Sequence, residues 1–161
     1  MKAAIKISQW KKSFASAILV GLVLLLGSCA SSHPWVPAGF AVYHDLKCNG
    51  VCAVNPEGIT WRVHQDKDQP KADIHFWKEA MQKRMTGAGY RILDSISFTN
   101  NAEPGWALVL TAPLGQVDYT YLVGAVIHGH ELTVIEAAGT STDFAKHREN
   151  MVAGLSKATS N

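Results

Sequence analysis

The sequence predicts an α+β fold: an antiparallel β-meander sheet flanked by two helices, in the order β-β-α-β-β-β-β-α. Three observations carry that expectation. Residues 73–88 repeat their apolar positions at the period of a helix, residues 90–137 read as four strands joined by short turns, and residues 140–157 return to helical spacing.

In the first helix Ile74, Trp77, Met81, Met85 and Ala88 fall on one stripe, with Phe76 and Ala80 beside it. Lys78, Glu79, Gln82, Lys83 and Arg84 take the other side, the pattern of a helix lying on a core. Asp73 is placed to cap its start, and Gly87 or Gly89 to end it. The strands are expected over 90–99, 106–112, 117–127 and 131–137, with turns at 100–105, 113–115 and His128-Gly129. Such short connections make each neighbouring pair antiparallel. Leu108 and Leu110 alternate with Val109, and Tyr119 and Tyr121 with Leu122, so the middle strands carry apolar residues on both faces. A sheet with one wet face alternates more cleanly, and cover on both faces is therefore expected. The closing helix has capping-box spacing at Thr140-Ser141-Thr142-Asp143, followed by Phe144, Arg148, Met151, Val152 and Leu155 at helical intervals. Upstream, 39–46 and 59–65 read as two further strands around the loop that holds Cys48 and Cys52.

The first 28 residues have a different character. Lys2, Lys6, Lys11 and Lys12 precede an apolar run over 14–26, and no acid occurs before Asp45. That run is shorter than the roughly 20 residues a membrane-spanning helix needs. It ends in Leu26-Gly27-Ser28-Cys29, which resembles the lipobox of bacterial lipoproteins. The resemblance implies cleavage after Ser28 and a lipid on Cys29. Ala30, Ser31 and Ser32 follow, with no Asp next to the lipidated residue; in Gram-negative lipoproteins this implies transfer to the outer membrane, facing the periplasm. The chain then divides into a signal peptide (1–28), a lipidated tether (29–39, with Pro34 and Pro37) and a single domain (40–161).

Charge narrows the partners. The whole chain has 15 basic and 13 acidic residues, but four of the lysines lie in the first 28, leaving eleven against thirteen, a net of −2. No basic run remains, which argues against nucleic acid and leaves the lipid as the membrane hold. With Cys29 acylated, Cys48 and Cys52 are an even pair outside the cytoplasm, and Asn49-Gly50 between them favours a tight turn. A disulfide is the first expectation. The alternative is a copper or zinc site from His44, Cys48 and Cys52, whose Cys-x3-Cys resembles Sco-type copper assembly factors, although those have a thioredoxin-like fold. Redox exchange is the third.

Glu136 shares strand phase with Leu132 and Val134, so its carboxylate is expected to face an apolar layer and to need a partner. A tyrosine hydroxyl or backbone near the last helix would serve, or Glu136 forms a polar contact at the floor of a ligand pocket. His128-Gly129-His130-Glu131 reads as an exposed hairpin tip without a third metal ligand. Trp35, Tyr43, Trp61, Trp77 and Trp106 are candidates for interface contacts where they reach the surface, and for core where they do not. No strained nucleophile turn, catalytic acid pair or phosphate-binding Gly loop is present, and no cofactor is indicated.

Asn55-Pro56-Glu57-Gly58-Ile59-Thr60-Trp61, the hairpin over 121–134 and the entry to the last helix at 139–144 together resemble a known architecture. It is shared by PsbP extrinsic photosystem subunits, a Ran-binding nuclear import factor and DcrB-type bacterial lipoproteins. The resemblance implies a PsbP-like sandwich and a non-enzymatic binding or assembly role with an envelope protein as partner. It supplies no functional residues.

The export reading has a direct test. Cys29→Ala should abolish incorporation of a labelled fatty acid and leave an unprocessed precursor outside the detergent phase; continued labelling would exclude the lipobox.

Overall fold

The computed structural model describes residues 35–45, 47–114 and 117–158; the signal peptide, Cys29 and residues 30–34 of the tether lie outside them. Residues 34–161 form one compact unit by themselves. Seven strands, β1 (Ala41–Tyr43), β2 (Val51–Val54), β3 (Thr60–Lys67), β4 (Arg91–Asn100), β5 (Glu103–Leu114), β6 (Val117–His128) and β7 (Glu131–Thr140), make a single sheet in the order β1-β2-β3-β7-β6-β5-β4. Every described pairing is antiparallel. Helix α1 (Ile74–Gly87) and helix α2 (Ser141–Leu155) complete the fold.

The fold class is the expected one, with one strand more. The chain turns at Asn49-Gly50, where Gly50 has φ +106°, and Val51–Val54 then pairs with β1 on one side and β3 on the other. Loop-forming residues flank this four-residue strand on both sides, which hid it from a reading based on period. A Cβ at Gly50 would stand 2.2 Å from the Val63 carbonyl oxygen, so glycine is required both by conformation and by this close approach.

Helices cover both faces of the sheet. Trp106, Leu108 and Leu110 of β5 and Val123 and Ala125 of β6 pack with Met85, Ile74, Trp77 and Met81 of α1. The alternate positions Ala107, Val109 and Leu122 join Trp61, Val63, Ile135 and Ala137 beneath Phe144, Met151 and Leu155 of α2. This is the physical meaning of apolar residues on both sides of the middle strands.

Local signals set the ends of the elements. The Asp73 carboxylate accepts the Phe76 N–H at 2.8 Å and starts α1. The Thr140 hydroxyl accepts the Asp143 N–H and donates to the Asp143 carboxylate, starting α2. Lys146, and then Thr140, hold the Asp143 carboxyl below its ordinary range by hydrogen bonding. At the other end of α2, the Asn100 amide donates to the Leu155 and Ala158 carbonyls, both at 2.9 Å, from a fully buried position.

Two turns differ from the expected ones. β4 and β5 are joined by Asn101-Ala102 alone, both at positive φ, so Pro104 and Gly105 belong to the strand. Gly105 is there because the Phe98 ring occupies the space a Cβ would need, 2.5 Å away. The last hairpin turns at Gly129-His130, one residue later than expected, with His128 opposite Glu131. The stretch assigned to the tether is also packed from Trp35 onward. The Trp35 ring meets Trp61 edge-on, and Val36 and Phe40 lie against the α2-side core.

Leu110 (0% exposed) and Val123 (1% exposed) sit in the α1-side core, whereas Lys83 points outward from α1. Leu110→Ala and Val123→Ala should each cost about 1–4 kcal/mol in denaturant melts. Lys83→Ala should stay within about 0.5 kcal/mol. Three equal small effects would contradict this register.

Candidate functional site

On the α1 side the helix packs over β4, β5 and β6 and leaves β7 and β3 largely beyond its edge. Register fixes what those strands present there. Tyr43, Cys52, Arg62, Glu136, Val123 and Leu108 lie side by side in one row across the sheet, from β1 to β5. The row changes from polar to apolar where the helix begins to cover it. Along that line lies a half-open groove of about 390 Å³, lined by Trp77, Met81 and Met85 from the helix and by Leu132, Val134 and Glu136 from β7.

The polar end of the groove is a linked set of side chains. The Tyr121 hydroxyl donates to Glu136 Oε1 at 2.5 Å, and Arg62 Nη1 donates to Glu136 Oε2 at 3.3 Å. His64 lies between two carboxylates, with Nδ1 3.7 Å from Glu136 Oε2 and Nε2 3.6 Å from Asp66 Oδ2. Burial, and then the bond to Glu136, push the Tyr121 phenol well above its ordinary range. Arg62 and Glu136 are 38% and 26% exposed, so their ion pair contributes about 1 kcal/mol or less. The Tyr121 bond is the firmer restraint on the carboxylate.

Trp77 is fixed as a wall of this groove. Its indole N–H donates to Asp68 at 2.7 Å, Asp68 is itself buried, and the Asp68 N–H donates to the His130 carbonyl at 3.3 Å. The approach to α1 and the tip of the last hairpin are thereby tied together. A second cleft of about 670 Å³ continues past Trp77, Asp66 and Leu132 towards Gln69 and Glu131.

The residues singled out from sequence are distributed as follows. Glu136 lines the groove, bonded to a tyrosine hydroxyl. Cys48 and Cys52 are joined in a disulfide with Cα atoms 6.2 Å apart, which removes both thiolates from the His44, Cys48 and Cys52 set; His44 itself is exposed. Among the described residues no group of three or more His, Cys, Asp or Glu is placed to hold a metal. His130 is exposed at its turn, and His147 faces Glu57 at 3.4 Å. Trp61 and Trp106 are core residues on opposite faces, Trp77 is half-buried in the groove, and Tyr43 is 40% exposed. Cys29 lies outside the described residues.

Arg62, His64 and Tyr121 were not identified as site residues by sequence reasoning, and Trp77 only as one of five aromatic candidates. A signal existed, since Arg62 and His64 alternate with Trp61 and Val63 and so share one face of β3. What joins them to Glu136 and Tyr121 is the β3–β7–β6 register, which no local pattern encodes.

No protein-family model matches the chain, and no curated protein matches it in sequence. Solved structures match it in fold. LpqN of Mycobacterium tuberculosis, described as involved in cell envelope biogenesis, aligns with a TM-score of 0.62 and 11% identity over 78% of this chain and 79% of its own. Cyanobacterial PsbP from Synechocystis aligns at 0.55 and 9% identity over 83% and 97%. A Pseudomonas aeruginosa protein of unknown function aligns at 0.56 and 8% identity over 76% and 97%. At these identities the likeness is one of fold, and the fold is PsbP-like.

The raised Tyr121 phenol gives a pH test. An unfolded tyrosine ionises near its ordinary 10.0 while the folded one keeps its proton, so this stabilisation is complete below pH 10.0 and is lost as pH rises above it. Tyr121→Phe should cost about 1–3 kcal/mol near neutrality. In urea melts run at increasing pH, the gap between wild type and variant should narrow above that point; a constant gap would show that the phenol proton is not held by the fold.

Proposed function

We propose that this chain is a lipoprotein of the bacterial cell envelope, anchored through Cys29 to the outer membrane and facing the periplasm. It acts there as a non-enzymatic binding or assembly module for an envelope partner. The observation that carries the binding role is the half-open groove at the edge of α1. Its apolar walls of Trp77, Met81, Met85, Leu132 and Val134 end in a polar wall of Tyr121 and Glu136, which are hydrogen-bonded to each other, with Arg62 holding Glu136 from outside the groove. Methionine-lined surfaces adapt to what they hold, which suits recognition more than chemistry. The envelope assignment draws on the Cys29 lipobox and on the fold-level likeness to LpqN, described as an envelope-biogenesis protein.

A photo-crosslinking residue placed at Arg84, on the rim of the groove, should give a discrete adduct in intact cells. The same residue at the exposed Lys146 of α2 should give none, and Cys29→Ala should remove the Arg84 adduct by displacing the module from the membrane. Equal adducts at both positions, or none at Arg84, would exclude the groove as the contact site.

A further inference from the structure

His64 is the one histidine of the described chain that is both buried and set against two acids. It is 9% exposed, and its Nδ1 has no hydrogen-bond partner. Each ring nitrogen faces a carboxylate, Asp66 at 3.6 Å and Glu136 at 3.7 Å. A neutral imidazole has a single N–H, so one nitrogen must turn a lone pair towards an acceptor. The imidazolium has two N–H groups and satisfies both carboxylates at once, with charge-assisted bonds that close to about 2.8 Å.

The charged groups around it come from every element that packs there. β3 brings Arg62 and Asp66, β7 brings Glu136, β6 brings the Tyr121 hydroxyl, α1 brings Arg84, and the turn from α1 to β4 brings Tyr90 beside Tyr121. The turn at Gly50, whose backbone lies against His64 Cα and Cβ, adds no titratable group. With the ring neutral, two cations balance two anions. With the ring charged, Asp66 and Glu136 are engaged by His64 and Arg62, and Arg84 at the mouth becomes the uncompensated charge. Arg84 makes no ion pair among the described residues.

We propose that His64 is a proton sensor for the groove: on taking up a proton it engages Asp66 and Glu136 together, leaves the groove net positive at Arg84, and strengthens its hold on an anionic ligand with an apolar body. This rests on the groove being the binding site. A histidine is the side chain that changes charge across the range of pH an envelope protein meets.

The test uses residues 34–161, the compact unit, with probes whose heads do not titrate. Decanesulfonate supplies an apolar chain with a fixed negative charge, and decyltrimethylammonium the same chain with a fixed positive one. Calorimetric titration at about pH 8 and about pH 5.5 should show decanesulfonate binding tighter on the acid side, on the order of tenfold, and decyltrimethylammonium weaker. His64→Gln should lose the difference between the two pH values, whatever its affinity at about pH 8. Asp66→Asn, at a side chain 62% exposed, tests the same contact with little risk to folding and should reduce the change. A shift that persists in His64→Gln, or none in wild type, would overturn the sensor. Failure of both probes at both pH values would instead remove the groove as the binding site. The sensor is then decided without ligand by groove fluorescence, taken as wild type minus Trp77→Phe. A pH response that His64→Gln abolishes supports it, and a flat profile overturns it.

Discussion

Seven strands set about 4.8 Å apart make a sheet nearly 29 Å across, and a helix about 10 Å wide cannot cover it alone. That mismatch organises the molecule. On one face α2 is joined by the segment from Trp35 to Phe40, and together they bury Trp61, Val63 and Ile135. On the other face α1 has no such helper among the described residues. It covers β4 to β6 and reaches only Leu132 and Val134 of β7; beyond them the face is finished by Arg62, His64 and Glu136. The groove is the seam between the covered and the uncovered parts.

The disulfide and the turn at Gly50 belong to the same solution. Without a Cβ at Gly50 the loop lies directly on Val63 and His64, and the Cys48–Cys52 link keeps the chain folded back so that β2 can pair. So short a loop gains little from restricting the unfolded chain. Its contribution is positional: it holds β2 beside the strand that carries Arg62 and His64.

Much of this architecture is legible in the sequence because the signals are local. Asp73 and Thr140 cap the helices where their spacing says they should, and the alternation of Leu108, Val109 and Leu110 announces two covered faces. The departures are also physical. Pro104 and Gly105 read as a turn, yet Gly105 serves as the place where the Phe98 ring lies, and β2 is too short for any period to show. Glu136 stands out because a carboxylate interrupts an apolar phase. Its partners do not stand out, since Arg62 and Tyr121 are 74 and 15 residues away and meet it only through the pairing of three strands.

The packing of Trp35 has a mechanical consequence. A Cβ on Gly154 would stand 2.4 Å from the Trp35 ring, so the indole occupies a notch that the last helix keeps open by lacking a side chain there. Lys157 lies over the same ring, 5.8 Å from its centre, and Trp61 meets its edge. Tension in the chain ahead of residue 35 therefore enters the domain at this notch, not at β1, whose three residues could be peeled away one hydrogen bond at a time. Load passes from the indole into α2 and the middle of the sheet, where many contacts must yield together.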